Sequence, residues 1–140
     1  MASTPYLVLR GVVLRETQTK EADKILTVLT AERGRIARRK GCKFAAAAQP
    51  LVWSEWTLYQ KGEWYYANEG TTLELFNGLR GDLEAMALGF YFAELTEAVT
   101  SEESPAPELL RHLLNGLYAL SALHRPHASV KAAFELQLLG

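Results

Sequence analysis

This sequence lacks most of the features that announce a mechanism. It has one cysteine, Cys42, in 140 residues, which excludes an internal disulfide framework and fits a reducing compartment. Apolar runs are broken by charge or glycine well before the ~18 residues that a transmembrane helix needs. The opening MASTPYLVLRG has neither the charged lead nor the small-residue cleavage site of a secretory signal. There is no Walker loop, nucleophile elbow or dinucleotide fingerprint. His112, His124 and His127 lack metal-ligand spacing with any cysteine or carboxylate pair. Glu84, Glu94 and Glu97 read as a solvated helix stripe, not as a paired acid and base. An enzyme reading is left without a constellation, and neither a cofactor nor a metal is expected. The expected function is binding.

What is present is an uneven distribution of charge. The formal net charge is only -1. Residues 1–43, however, carry 10 Lys/Arg against 4 acids, and residues 71–140 carry 4 against 9. The basic end can meet an anion and the acidic end cannot. The densest part is Arg33, Arg35, Arg38, Arg39, Lys40 and Lys43, read here as a loop beside a small barrel. Four of these six are arginines, whose guanidinium groups can pair bidentately with phosphate oxygens. Lys24 joins them as a candidate phosphate contact, and Lys20, Arg10 and Arg15 would widen the patch if they face the same side. The bland alternative is an ordinary solvated loop.

Hydrophobic residues make up 49% and charged residues 22% of the chain, enough for one domain or two small ones sharing a core. Tyr6–Arg15 reads as a strand covered on both sides, with a bend or bulge at Gly11. Glu16–Asp23 reads as a turn and Lys24–Thr30 as a second, β-branched strand. Gly34–Lys40 is a third strand, although only Ile36 and Ala37 in it are apolar. Lys43–Ala48 suits a helical turn stopped by Pro50. Leu51–Tyr59 alternates, Gln60–Glu63 is a hairpin turn, and Trp64–Ala67 returns, continuing through Thr71–Leu75 after an irregularity at Gly70. After Gly78 the period becomes helical. Leu79–Thr100 carries Leu83, Met86, Ala87, Phe90 and Ala93, with Tyr91, Phe92 and Leu95 beside them, and reads as a helix buried on several sides; Glu108–Leu123 carries Leu110, Leu113, Leu117 and Leu120; Ala128–Leu139 carries Val130, Ala133, Phe134 and Leu138. The expected class is α+β, with a five-stranded antiparallel barrel over residues 1–77 and a helical bundle over residues 78–140. Of the aromatics Trp53, Trp56, Tyr59, Trp64, Tyr65 and Tyr66, most should pack the core or hairpin, with Trp64 and Tyr66 the best candidates for base stacking.

Several segments, taken in order, resemble the bacterial recombination mediator family RecO. Gly11-Val12-Val13-Leu14-Arg15, Glu21 to Thr30 and Gly34-Arg35-Ile36 stand where that family has its first three strands. Arg38-Arg39-Lys40-Gly41 and Gln49-Pro50-Leu51 resemble its basic loop and the opening of its fourth strand. Leu75 to Leu83 and Phe134 to Gly140 resemble the starts of its first and last bundle helices. The resemblance implies an OB-fold barrel followed by helices, binding of single- and double-stranded DNA, and annealing of complementary strands. It also implies two partners, RecR and the acidic tail of single-strand-binding protein, and a cytoplasmic, nucleoid-associated location without membrane contact.

Two departures stand out. The family has several more residues between its Gly-[Lys/Arg]-Ile entry and the basic loop, so the third strand is either naturally short here or lacks loop residues. The family also continues past the last helix, often with a four-cysteine zinc site, so the helical region is expected to be incomplete at residue 140. A tail site needs a cation beside an apolar pocket; Arg125, Lys131, Phe134 and Leu138 are its candidates. The rival expectation is an adaptor that docks a protein and binds no DNA of its own.

Overall fold

The computed structural model describes residues 6–18, 24–40, 46–62, 64–101 and 104–139, with the backbone alone at 18, 24, 34–40 and 139. Five strands, β1 (Tyr6–Gln18), β2 (Lys24–Thr30), β3 (Gly34–Lys40), β4 (Trp53–Lys61) and β5 (Trp64–Glu74), precede the helices. These are α1 (Asn77–Arg80), α2 (Leu83–Val99), α3 (Pro107–Ala122) and α4 (His127–Leu139). The class is α+β. The strands close a barrel in the order β1-β2-β3-β5-β4.

β1 makes closure possible by pairing with two neighbours. Tyr6–Val12 lies against β4, and Gly11–Gln18 lies against β2. The segment expected to be a turn from Glu16 is therefore strand as far as Gln18, because β2 offers it backbone partners. Gly11 sits where both ladders overlap. A Cβ there would come within 2.4 Å of Val28 Cγ1 and 2.7 Å of Leu29 O, so the glycine serves close packing. The bulge expected at Gly11 falls at Leu14 instead, between Val13 and Arg15. There the extra residue re-aims the strand and Leu14 joins the core beneath the helices.

The sheet is antiparallel except at one seam. β3 meets β5 in parallel through Arg38↔Tyr65 and Arg39↔Tyr66, which corrects the expectation of a wholly antiparallel barrel. β5 is continuous through Gly70, and its register shifts fall on either side of that residue. Gly70 is needed for another reason: a Cβ would lie 2.3 Å from the ring of Trp56, which is fully buried.

Two cores result. Leu9, Val13, Leu26, Val28, Ala47, Ala48, Trp56, Leu58 and Tyr65 fill the barrel. Val12, Leu14, Leu29 and Leu51 instead join Phe92, Leu113, Leu117 and Phe134 in a core shared with the helices. The 46–52 turn pins the two together. Leu51 N donates to Val13 O at 2.7 Å, and Ser54 Oγ donates to Ala47 O at 2.8 Å. β4 accordingly begins at Trp53 instead of Leu51. Residues 46–48 of the expected helical turn are a turn; 43–45 lie outside the described residues.

The long helix expected over Leu79–Thr100 is broken at Gly81–Asp82. The Asp82 carboxylate caps α2 by accepting from Ala85 N at 3.1 Å, satisfying a donor that would otherwise be orphaned. The buried face of α2 is Ala85, Gly89, Phe92, Ala93 and Thr96; of the expected apolar residues Phe92 and Ala93 are core and Met86, Tyr91 and Leu95 pack against it, while Ala87 and Phe90 are exposed and Leu83 is 89% exposed. α3 buries Leu110, Leu113, Leu117 and Leu120 as its period requires, with Pro107 in its first turn. No helix among the described residues is long and apolar enough to cross a membrane.

Candidate nucleic-acid interface

The basic residues 35–40 lie on the expected third strand, β3 over Gly34–Lys40, and not on a loop beside the barrel. β3 carries Arg35, Arg38, Arg39 and Lys40, and its whole length is paired with β2: Leu29↔Arg35, Leu26↔Arg38, Ile25↔Arg39, Lys24↔Lys40. A strand with so few apolar residues forms because backbone partners are waiting on both sides, β2 throughout and β5 at residues 38 and 39. The hairpin sets the backbone of Lys24 opposite that of Lys40, so residues 16 apart in sequence share one ladder. Lys43, like Cys42 and Lys20, lies outside the described residues.

The two ends of this hairpin differ. At its turn, Thr30 is buried and its Oγ1 accepts from Arg33 N at 3.1 Å. Ala31 O accepts from Ala106 N at 2.8 Å, tying the linker before α3 onto the turn. Arg33 belongs to this end. Its Nη1 donates to the hydroxyl of Tyr65 at 3.2 Å, and that tyrosine is only 1% exposed within the barrel core. Arg33 therefore closes an end of the barrel, whereas Arg38 is five residues along the chain, roughly 16 Å at strand rise.

Arg10 and Arg15 each engage a carboxylate. Arg10 Nε pairs with Glu55 at 2.9 Å, and Arg15 Nε pairs with Glu97 of α2 at 3.0 Å. The second pair ties the barrel to a helix, and Glu97 is thus no member of a free acidic stripe.

The aromatics divide by strand alternation. Trp56 and Tyr65 are core, and Trp53 packs against the shared core. Tyr59 and Tyr66 occupy the alternate positions on β4 and β5 and lie on the outer wall, their ring centroids 5.5 Å apart and 18° from parallel. Tyr6, which sequence reasoning passed over, meets Tyr59 edge-on at 6.2 Å. Its pairing with Tyr59 in the β1–β4 register is a long-range fact that no local pattern reveals.

Two family models match the chain: Recombination protein O N terminal over residues 5–76 and Recombination protein O C terminal over residues 80–140. The chain belongs to the RecO family. It is similar to the DNA repair protein RecO of Acetivibrio thermocellus, 34% identical over 140 residues, covering 96% of this chain and 56% of that protein. The DNA repair protein RecO of Caldicellulosiruptor bescii is 32% identical over 136 residues, 93% of this chain and 55% of its own length. That of Bacillus subtilis is 30% identical over 117 residues, 79% and 46% respectively. The chain thus spans about half the length of the curated RecO relatives it matches.

The residues chosen for a RecO-type tail site do not form one pocket. Phe134 is 3% exposed, its ring stacked on Phe92 at 3.9 Å and on His112 at 4.1 Å. His112 Nε2 also reaches Phe134 O at 2.9 Å, so this histidine knits α3 to α4. Arg125 and Phe134 border a cavity of about 160 Å³ between those helices. Leu138 borders a different, apolar groove of about 590 Å³ with Tyr91, Leu95, Ala132, Glu135 and Leu136. Lys131 is committed to Glu135, Nζ to Oε2 3.1 Å, and the Tyr91 hydroxyl donates to the same carboxylate. Hydrogen bonds from Tyr91 and Lys131 hold the Glu135 carboxyl below the usual range. The bond to Glu135 pushes both the Tyr91 phenol and the Lys131 ammonium up. Such a groove presents a carboxylate with its cation already engaged, which is poor chemistry for an acidic tail.

Proposed function

We propose that this chain is the DNA-binding part of a recombination mediator that acts stoichiometrically, without catalysis. Its barrel is used as an OB fold, and the β2–β3 ladder supplies the cations. The observation that carries this reading is the register that sets Lys24 opposite Lys40 and threads Arg35, Arg38 and Arg39 along the same hairpin. Cations on one ladder neutralise phosphates on two strands, lower their mutual repulsion and let complementary bases find each other. Single- and double-stranded DNA are its substrates in a bacterial cytoplasm, at the nucleoid. The family points to RecR and the single-strand-binding protein tail as partners, with their surfaces outside the Lys131–Glu135 pair.

The test is binding of a labelled oligonucleotide over a salt series. Affinity should fall linearly on a log–log plot, with a slope of about -0.7 per phosphate neutralised on single strands. Replacing Arg38 and Arg39 by Gln, which keeps much of the aliphatic stem, should flatten that slope by roughly one to one and a half. An adaptor without DNA activity would bind weakly, and the double substitution would leave that binding untouched.

A further inference from the structure

The outer wall formed by β1, β4 and β5 carries a feature the cation ladder does not account for. Tyr6, Tyr59 and Tyr66 stand at one level of three adjacent strands: Tyr6↔Tyr59 across β1–β4 and Tyr59↔Tyr66 across β4–β5. Their neighbours in sequence point inward. Leu58 is fully buried, Tyr65 is 1% exposed, and Leu7 packs on the barrel core. The three tyrosines therefore face outward, Tyr6 with 57% of its surface exposed and Tyr59 and Tyr66 half-buried against each other. The helices pack at the opposite end of these strands, around Val12 and Trp53.

The same level continues into the basic strand, because Tyr66 is the register partner of Arg39. On the hairpin side of the row, the exposed Lys61 is paired with Trp64. On the helix side lie the carboxylates, Glu69 opposite Thr57 and Glu55 held by Arg10. Rings with the exposed Lys61 on one side, carboxylates on another and the backbone of the basic strand β3 alongside Tyr66 fit a polyanion that also has flat apolar faces. A duplex hides those faces within its own stack; a single strand displays them. The 5.5 Å spacing of Tyr59 and Tyr66 is too narrow to admit a base between the rings, so bases would lie on the row instead of between its members.

We propose that Tyr6, Tyr59 and Tyr66 form a stacking platform for the bases of single-stranded DNA, continuous with the phosphate-binding β3 strand and resting on the reading of the barrel as a DNA-binding element. The platform makes the protein respond to unpaired bases, where the cations alone respond to phosphate. Stacking on aromatic rings is tolerant of sequence, which suits a mediator that must act on any exposed strand.

The test compares an ordinary single-stranded 20-base oligonucleotide with an abasic one of the same length, both titrated into the 140-residue chain. The wild type should prefer bases over abasic phosphate by on the order of tenfold or more. Tyr59→Leu/Tyr66→Leu should bind the two alike while keeping the wild-type salt slope; Tyr66→Phe, which retains the ring, should keep the preference. A wild type that binds both oligonucleotides equally, in a salt-dependent way, overturns the platform and leaves the proposed function standing. A wild type that shows no salt-dependent binding at all removes both. Should the double variant fail to fold by far-UV dichroism, ultraviolet crosslinking of a halogenated-uracil oligonucleotide to the wild type decides. Adducts on Tyr6, Tyr59 or Tyr66 support the platform, and adducts confined to other residues reject it.

Discussion

The two ends of the barrel use the same strands to opposite purposes. Where β1 and β4 meet the helices, their outward positions are Val12 and Trp53, sealed into the core shared with Phe92, Leu117 and Phe134. Six residues back along β1, the outward pair is the exposed Tyr6 and the half-buried Tyr59. One end exists to be covered and the other to be available. Substitutions at the covered end should cost stability and leave ligand contacts alone, and those at the open end should do the reverse.

The strongest way to break this contrast is Phe92→Ala. Phe92 is fully buried, stacks on Phe134, and has Gly116 against its ring, where a Cβ would sit 3.1 Å from Cδ2. Removing such a ring from a close-packed core costs about 3–5 kcal/mol. Tyr59→Leu at the open end should cost no more than about 1 kcal/mol, the scale of a cross-strand pair. Urea unfolding of the two variants side by side checks the difference; comparable losses would mean that the open end is itself a structural element.

A glycine pair sharpens it next. Gly70→Ala would push a methyl into the buried Trp56 ring, with 2.3 Å available, and overpacking of this kind costs about 1–3 kcal/mol. Gly81→Ala meets nothing within 4 Å and should be close to neutral in the same melting experiment.

The sequence spoke clearly wherever one element decided the outcome. β2 was legible at its full extent because KILTVLT is β-branched and buried on both faces, and α3 because its leucines keep helical period against a polar opposite face. α2 misled for the converse reason. It is apolar nearly all round, so composition could not say that Gly89 and Ala85 make the close approach while Leu83 and Phe90 stay outside. The basic segment was legible as a third strand over Gly34–Lys40, but its pairing was not, since that depends on partners from residues 24–30 and residues 65 and 66. Phe134 looked like a pocket residue because it is apolar near Lys131; only the packing of Phe92 and His112 on its two faces removes it from the surface. Tyr66 was legible as a stacking candidate but the tyrosine row was not, because it exists in register between residues 6, 59 and 66.

The joint between barrel and helices should also show a small polar contribution. Arg15 and Glu97 bridge β1 to α2, but the arginine side chain is 55% exposed, so solvent screens the pair. Arg15→Ala should lower stability by roughly 0.2–1 kcal/mol, and less in high salt. A double-mutant cycle with Glu97→Ala isolates that coupling from the loss of side-chain packing.

The smallest effect, and the one with the clearest sign, belongs to Tyr91, Lys131 and Glu135 at the edge of the α2–α4 groove. Glu135 is held below the ordinary carboxylate range, chiefly by the Tyr91 hydroxyl and then by Lys131. Its contribution is present above that ordinary range and lost as pH falls through the lowered folded value. Lys131 and Tyr91 are both raised, chiefly by their hydrogen bonds to Glu135. Their contributions are complete below the ordinary lysine and tyrosine values and lost as pH rises through the raised ones. The three groups therefore support one another across the neutral range and release at both extremes. Glu135→Gln should melt slightly below the wild type at neutral pH. The gap should close in acid below the carboxylate range and again in strong alkali, while the Arg38/Arg39 salt slope stays unchanged. A gap that persists at acid pH would show that Glu135 acts through packing instead of charge.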